Sequence, residues 1–318
     1  MSLKNKKILV TGALGFIGRT LLETLIEQDC GAELYGIDIK EFPKNADKLK
    51  SLHFENIDIR DEGKIKSYIR KNRFDGIVHL AAVSRVAVAE EDKKRCIETN
   101  YKGTRYIAEA VSENPDSWMI FGSSREVYGE QEKFPVSEDA ELLPLNIYGF
   151  YKLEGERIVR KNVKKHFILR FSNVYGNEYD IPERVIPKFT AAALKGGELV
   201  LEGGEQIIDF THINDTVFAI IQCMSALEKN EIMHETMHIL PGIGRNITDI
   251  INILRSNGLN FSVKRNAPRS YDVQKFIGDS KKCREFLKDL SFTDLETGIR
   301  KLIEIYKSNE QTKWKNLS

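Results

Sequence analysis

Short apolar runs and longer amphipathic stretches alternate through the first half of the chain. The runs cover residues 8–10, 34–37, 52–57, 76–80, 118–122 and 167–171. Between them, apolar residues recur at helical spacing over 19–28, 62–72, 96–114 and 148–162. Apolar runs separated by helices are what βαβ units produce, because a parallel sheet is covered on both faces. The pattern predicts an α/β fold built on a doubly wound parallel sheet, with functional groups beyond the carboxyl ends of the strands. From about Asn173 the rhythm changes. Pro182, Pro187 and the pairs Gly196-Gly197 and Gly203-Gly204 punctuate shorter elements, and helical patterns follow over 247–256, 280–289 and 295–307. Two units are expected. Residues 1–172 carry the sheet, with a return segment near 209–232, and 173–318 form mainly a smaller second α/β unit.

The first apolar run ends in Thr11-Gly-Ala-Leu-Gly-Phe-Ile-Gly18. Gly12 suits a tight turn, Gly15 lets backbone approach an anion, and Gly18 lets a helix pack on a strand. The helix that opens around Phe16 and Ile17 turns free N–H groups and its positive dipole end toward that anion. Asp38 lies 20 residues beyond Gly18, at the end of the second run. A carboxylate there holds a ribose 2′-hydroxyl and repels a 2′-phosphate, which favours NAD over NADP. The spacing is GxxGxxG rather than GxGxxG, so strand, glycines and Asp38 together carry the assignment to a Rossmann-type dinucleotide site.

Composition narrows the partners. The 318 residues are 41% hydrophobic and 30% charged, and 48 Lys and Arg against 47 Asp and Glu leave a net charge of +1. Without a basic excess, nucleic acid is not an expected partner. No apolar run approaches membrane-spanning length. Cys30, Cys96, Cys223 and Cys283 are scattered, which fits a reducing compartment, and the cytoplasm is the expected location. His234-Glu-Thr-Met-His238 spells the HExxH zinc motif. The residues around it read as a strand running into the Pro241-Gly242 turn, so no metal is expected, and His79 and His212 are expected to be hydrogen-bonded structural residues.

Tyr148 and Lys152 stand four apart in a helical pattern, on one face. A lysine cation near a phenol, whose reference pKa is about 10, favours the phenolate. Ser123-Ser124 follows the run at 118–122, where a strand delivers a hydroxyl to the same rim.

These residues resemble the extended short-chain dehydrogenase/reductase family, the NAD-dependent nucleotide-sugar epimerases and dehydratases. The matching stretches include Asp58-Ile-Arg-Asp61, His79-Leu-Ala-Ala82, Asn100, Ser124, Glu126-Val-Tyr-Gly129, Tyr148 with Lys152, Leu169 to Gly176, Asp209 to Asp215, Pro268-Arg269 and Asp279-Ser-Lys281. The resemblance implies that Asp58 and Ile59 border adenine. By the same resemblance, Leu80, Ala81, Ala82 and Asn100 line the dinucleotide, and Asn173 and Arg269 face the diphosphate of a nucleotide-linked sugar. It also implies a homodimer through the helices around 99–114 and 148–162. Two departures stand out: Ile208 replaces the family's arginine before Asp-Phe, and Leu240 its asparagine before the Gly242-Ile-Gly244 turn.

The resemblance implies oxidation of the sugar 4-hydroxyl, with Tyr148 taking the proton, Ser124 steadying the oxygen and Lys152 holding the cofactor's ribose. Return of the hydride to the other face would give a 4-epimer. Glu126 keeps open a 4,6-dehydratase or a decarboxylase, in which it acts as a base. Beside it, Arg125 stands where a dehydratase has its acid, and a guanidinium does not give up its proton near neutral pH. Arg125 is instead expected to touch the substrate, a sugar carboxylate in the decarboxylase branch. A 4-keto-sugar reductase and a non-catalytic NAD sensor are the remaining alternatives.

Overall fold

The computed structural model describes residues 3–267 and 273–315, the last six of them as backbone. The first half runs β1 (Lys7–Thr11), α1 (Phe16–Glu27), β2 (Glu33–Asp38), β3 (His53–Asn56), α2 (Glu62–Asn72), β4 (Gly76–His79), α3 (Val86–Glu91), α4 (Lys93–Cys96), α5 (Thr104–Ser112), β5 (Trp118–Ser124), α6 (Ile147–Asn162) and β6 (Lys165–Phe171). The second half runs β7 (Asn173–Tyr175), α7 (Val185–Leu194), β8 (Glu198–Glu202), β9 (Ile207–His212), α8 (Ile213–Glu228), β10 (His234–Ile239), β11 (Gly244–Asn246), α9 (Ile247–Ser256), β12 (Ser262–Asn266), α10 (Lys281–Phe286) and α11 (Leu295–Lys315).

Seven strands form one parallel sheet in the order β10-β6-β5-β4-β1-β2-β3. The order reverses between β1 and β4, so the strands on either side are followed by connections that diverge, leaving a crevice at their carboxyl ends. Alternation along β1 explains the two covered faces. Ile8 and Val10 join the core that holds α1 and α8, whereas Leu9 joins the core that holds α2 and α5. This is the doubly wound α/β architecture that the apolar pattern predicts. The sheet's seventh strand, β10, comes from 234–239, just past the expected return segment, and α8 before it packs against α1.

A second core, around Phe189, Leu201, Phe210, Ile250 and Ile299, gathers the three-stranded sheet β11-β9-β7, the pair β12-β8, and helices α7, α9 and α11. Among the described residues, no helix is long and apolar enough to cross a membrane.

One helix is not as the periodicity reads. The stretch over 96–114 breaks into α4, a π-helical turn over Ile97–Gly103, and α5. Such a turn keeps apolar spacing almost unchanged while rotating the residues that follow, so the pattern gives no warning of it.

Candidate active site

The glycine loop packs too tightly for side chains. Gly12 has φ +70°, and a Cβ there would lie 2.8 Å from Ala81 N. A Cβ on Gly18 would collide with the Gly12 carbonyl oxygen, so α1 can start directly behind the loop only because position 18 is glycine. Asp38, at the end of β2, accepts from Leu14 N at 3.0 Å through Oδ2 and from Lys40 N at 3.0 Å through Oδ1. Its carboxylate is thereby held at the edge of the loop.

These residues open onto a cavity of about 680 Å³. Its walls include Gly12, Gly15, Phe16, Ile17, Gly18, Asp38, Asp58, Ile59, Leu80, Ala81 and Ala82 on the loop side. Ser124, Arg125, Glu126, Tyr148, Lys152 and Asn173 line its other part. All of these were singled out by the sequence. Arg269 lies outside the described residues. Asn100 does not reach the cavity. It is buried on the π-helical turn, where Oδ1 accepts from Val83 N at 2.8 Å and Nδ2 donates to Val83 O at 3.0 Å, so it fastens the chain that leaves β4.

Ser124, Tyr148 and Lys152, the residues expected to act together, converge from two elements. Ser124 is the last residue of β5 rather than the loop after it; its Oγ accepts from Glu126 N at 3.2 Å, and it lines the same cavity as Tyr148. Lys152, one turn beyond Tyr148 on α6, donates to Gly122 O at 2.7 Å, and its Nζ lies 5.9 Å from the centre of the Tyr148 ring. Burial pushes the Tyr148 phenol up to about 12, although the nearby Ser124 hydroxyl and the Arg184 charge pull the other way. Burial likewise brings the Lys152 ammonium down to about 8. Burial therefore opposes the expected phenolate, because removing water disfavours the charged form of both groups.

Glu126 does not point freely into the cavity. Oε1 meets Arg125 Nη2 at 2.9 Å, and Oε2 accepts from Asn146 Nδ2 at 2.8 Å. The side chains of Arg125 and Glu126 are 8% and 10% exposed, so this is a buried ion pair. Asn146 also caps α6, accepting from Gly149 N at 2.8 Å. Below the site, Thr11 Oγ1 and Thr104 Oγ1 hold the two nitrogens of His79 at 2.7 and 3.0 Å. Burial, with Lys152 nearby, brings His79 down to about 3, and the ring is neutral and structural. His234 and His238 lie on strand β10, not on a helix, and no cluster of metal-binding side chains occurs among the described residues.

Two further groups reach the cavity without any motif to announce them. Asp180 and Arg184 come from the segment between β7 and α7, with Arg184 Nη1 3.4 Å from Asp180 Oδ1. Proline and glycine mark this stretch as a loop, but which way it folds depends on packing distant in sequence.

The glycine cradle and Asp38 fit a dinucleotide, and comparison with known proteins agrees. Residues 8–235 match the family model described as "NAD dependent epimerase/dehydratase family". The chain belongs to this family. Its cofactor is NAD, and it is an enzyme. The chain is 32% identical over 246 residues to a UDP-N-acetyl-alpha-D-glucosaminuronate decarboxylase of Bacillus cytotoxicus, covering 72% of this chain and 74% of that protein. Its structure is similar to the UDP-glucose 4-epimerase of Thermotoga maritima with UDP-glucose, at TM-score 0.85 and 28% identity, over 95% of this chain and 99% of the other. It is also similar to the UDP-glucuronic acid 4-epimerase of Bacillus cereus in complex with UDP-glucuronic acid and NAD, at TM-score 0.84, 26% identity and the same coverage. Relatives with epimerase and decarboxylase names thus both match this chain.

Proposed function

We propose that the protein is a nucleotide-sugar 4-epimerase that oxidises the sugar 4-hydroxyl transiently and reduces the 4-keto sugar from the opposite face. The observation that carries this choice is the pinned carboxylate. With one oxygen on Arg125 and the other on Asn146, Glu126 is committed to a buried pair rather than poised as the base a dehydratase or decarboxylase needs. Ser124, Tyr148 and Lys152, the trio a transient oxidation would use, line one cavity, which supports this reading.

Gly12, Gly15 and Gly18 would receive the cofactor's pyrophosphate, Asp38 its adenosine ribose, and Asp58 and Ile59 the adenine, all from the cavity's loop side. Lys152 would hold the nicotinamide ribose. NAD, when bound, supplies reversible hydride acceptance. Tyr148 takes the proton of the 4-hydroxyl, and Ser124 holds the same oxygen through its Oγ while the charge on it changes. On return, Tyr148 gives the proton back. Ser124, Tyr148 and Lys152 therefore do the proton work, and Glu126 and Arg125 shape the floor beneath them. Asn173, and Arg269 beyond the described residues, would take the diphosphate. The unit formed mainly by 173–318 would hold the nucleotide sugar, and the protein is expected to work as a cytoplasmic homodimer.

The test is incubation of the NAD-loaded protein with UDP-, dTDP-, GDP- and CDP-sugars, followed by NMR of the products. A 4-epimer formed without added reductant is the expected result. An unsaturated product, a stable keto sugar or a pentose would show lyase chemistry instead. Tyr148→Phe should abolish turnover and still bind NAD; a variant that turns over normally would rule out Tyr148 as the proton-transfer group, and a wild-type protein that binds NAD yet turns over no sugar would leave a sensing role for the site.

A further inference from the structure

Tyr148 and Lys152 are followed at the same four-residue spacing by Glu156, so the three share one face of α6. Glu156 is the most deeply buried of them and stands outside the cavity wall. A carboxylate so buried needs partners. Ser123 Oγ donates to Glu156 Oε1 at 2.6 Å, Arg170 Nε donates to the same oxygen at 2.9 Å, and Arg170 Nη2 donates to Oε2 at 2.7 Å. Arg160, one turn further along α6, reaches Oε2 at 3.4 Å.

These partners form a frame. Ser123 and Arg170 stand opposite each other in the register of β5 and β6. Arg170 Nη1 donates to the Tyr128 hydroxyl at 2.5 Å and to Glu138 O at 2.7 Å. The Tyr128 hydroxyl also bonds His238 Nε2 at 2.6 Å, and His238 lies opposite Arg170 in the register of β6 and β10. Glu156 is therefore fixed to a row of side chains that crosses three strands.

Two consecutive residues of β5 thus meet two consecutive turns of α6. Gly122 O accepts from Lys152 Nζ at 2.7 Å, and Ser123 Oγ donates to Glu156. The next residue of the strand is Ser124, in the cavity wall. A displacement of α6 by about 1 Å along these bonds would stretch both beyond hydrogen-bonding length. The contact of Gly155 with the Phe121 ring brings helix and strand close, but it is apolar and sets no direction, whereas bonds to a buried carboxylate do. We propose that Glu156 is a positioning residue: clamped between Ser123 and Arg170, its carboxylate locks the register of α6 on β5 and so seats the Lys152 ammonium on Gly122 O, where it would hold the nicotinamide ribose.

The inference rests on Lys152 as the group that holds that ribose, and its test needs no sugar. Calorimetry gives the affinity of the protein for NAD and for ADP, which carries the adenosine and pyrophosphate of NAD but not its second ribose. The ratio of the two dissociation constants reads the seat of Lys152, and Lys152→Met sets its value when the seat is lost. Glu156→Gln should weaken NAD about tenfold and leave ADP within about twofold. Ser123→Ala keeps the ion pair of Glu156 with Arg170, and should move the same ratio about threefold. Should Glu156→Gln not fold, because Arg170 is left without its counter-charge, Ser123→Ala decides on its own. A carboxylate that only stabilises the fold would lower the melting temperature in both variants and leave the ratio where it is. That result overturns the proposal, as does an equal loss of NAD and ADP. A ratio that Lys152→Met leaves unmoved overturns the reading of Lys152 and the proposal with it; one that Lys152→Met moves while Glu156→Gln and Ser123→Ala do not overturns the proposal alone.

Discussion

Asn146 is shared between two tasks: its Oδ1 starts α6 and its Nδ2 holds the Glu126 carboxylate. Replacing Glu126 by Gln keeps that second bond but leaves the buried Arg125 cation without its counter-charge, which costs about 3 kcal/mol when one member of such a pair is removed. Urea unfolding should report a loss of that order. Turnover of Glu126→Gln should fall less than tenfold, against a hundredfold or more for a group that moves a proton in the reaction. His79 gives a pH signature. Its folded pKa, about 3, lies below the ordinary value of about 6.5, so the stability it contributes is complete above 6.5. That contribution drains away as pH falls from 6.5 toward 3, because the unfolded chain takes the proton first. Unfolding free energy measured across this window should slope less steeply in His79→Gln. Residues bound to local motifs, such as Gly12, Asp38, Tyr148 and Lys152, were legible in the sequence because strand, loop and helix fix them within a few positions. Asn100 was noticed for its place but not its task, since a clamp on Val83 is a contact made by the folded chain.

At the scale of elements, α6 matters most, because it carries Tyr148 and Lys152. It lies close to β5 through Gly155, where a Cβ would stand 2.6 Å from Phe121 Cζ. Gly155→Ala should push the helix off the sheet, costing about 1–3 kcal/mol. It should also lower turnover more than NAD affinity, because Lys152 loses its seat on Gly122 O while the glycine loop is untouched. Stability by thermal melting and NAD binding by calorimetry separate the two effects. The central strands of the first half were readable because they are runs buried on both faces, as β4 and β5 are throughout. The break inside 96–114 was not, since a π-helical turn leaves the apolar face continuous while turning Asn100 inward. Nor was the course of the segment over 177–184 readable, which is set by Thr20 and Glu23 far upstream.

For the whole molecule, Phe150 is 46% exposed on α6 beside Tyr151, and Tyr101 lies 6.0 Å from Tyr151 between ring centres. If two copies pair across these helices as the family resemblance implies, Phe150→Glu should convert a dimer to a monomer in light scattering, with the NAD site intact. The change of rhythm near Asn173 suggests two units, and the cores do not follow the chain linearly: α8 and β10 return to the large sheet, so the second core is assembled from pieces on either side of them. One further tie joins the two parts: Tyr179, stacked on Arg19 and bonded to Glu23, stitches the segment before α7 to the helix behind the glycine loop. In the proposed cycle the hydride returns to the sugar within one site, so one resident cofactor serves many substrate molecules and turnover draws on no outside supply of reduced nucleotide.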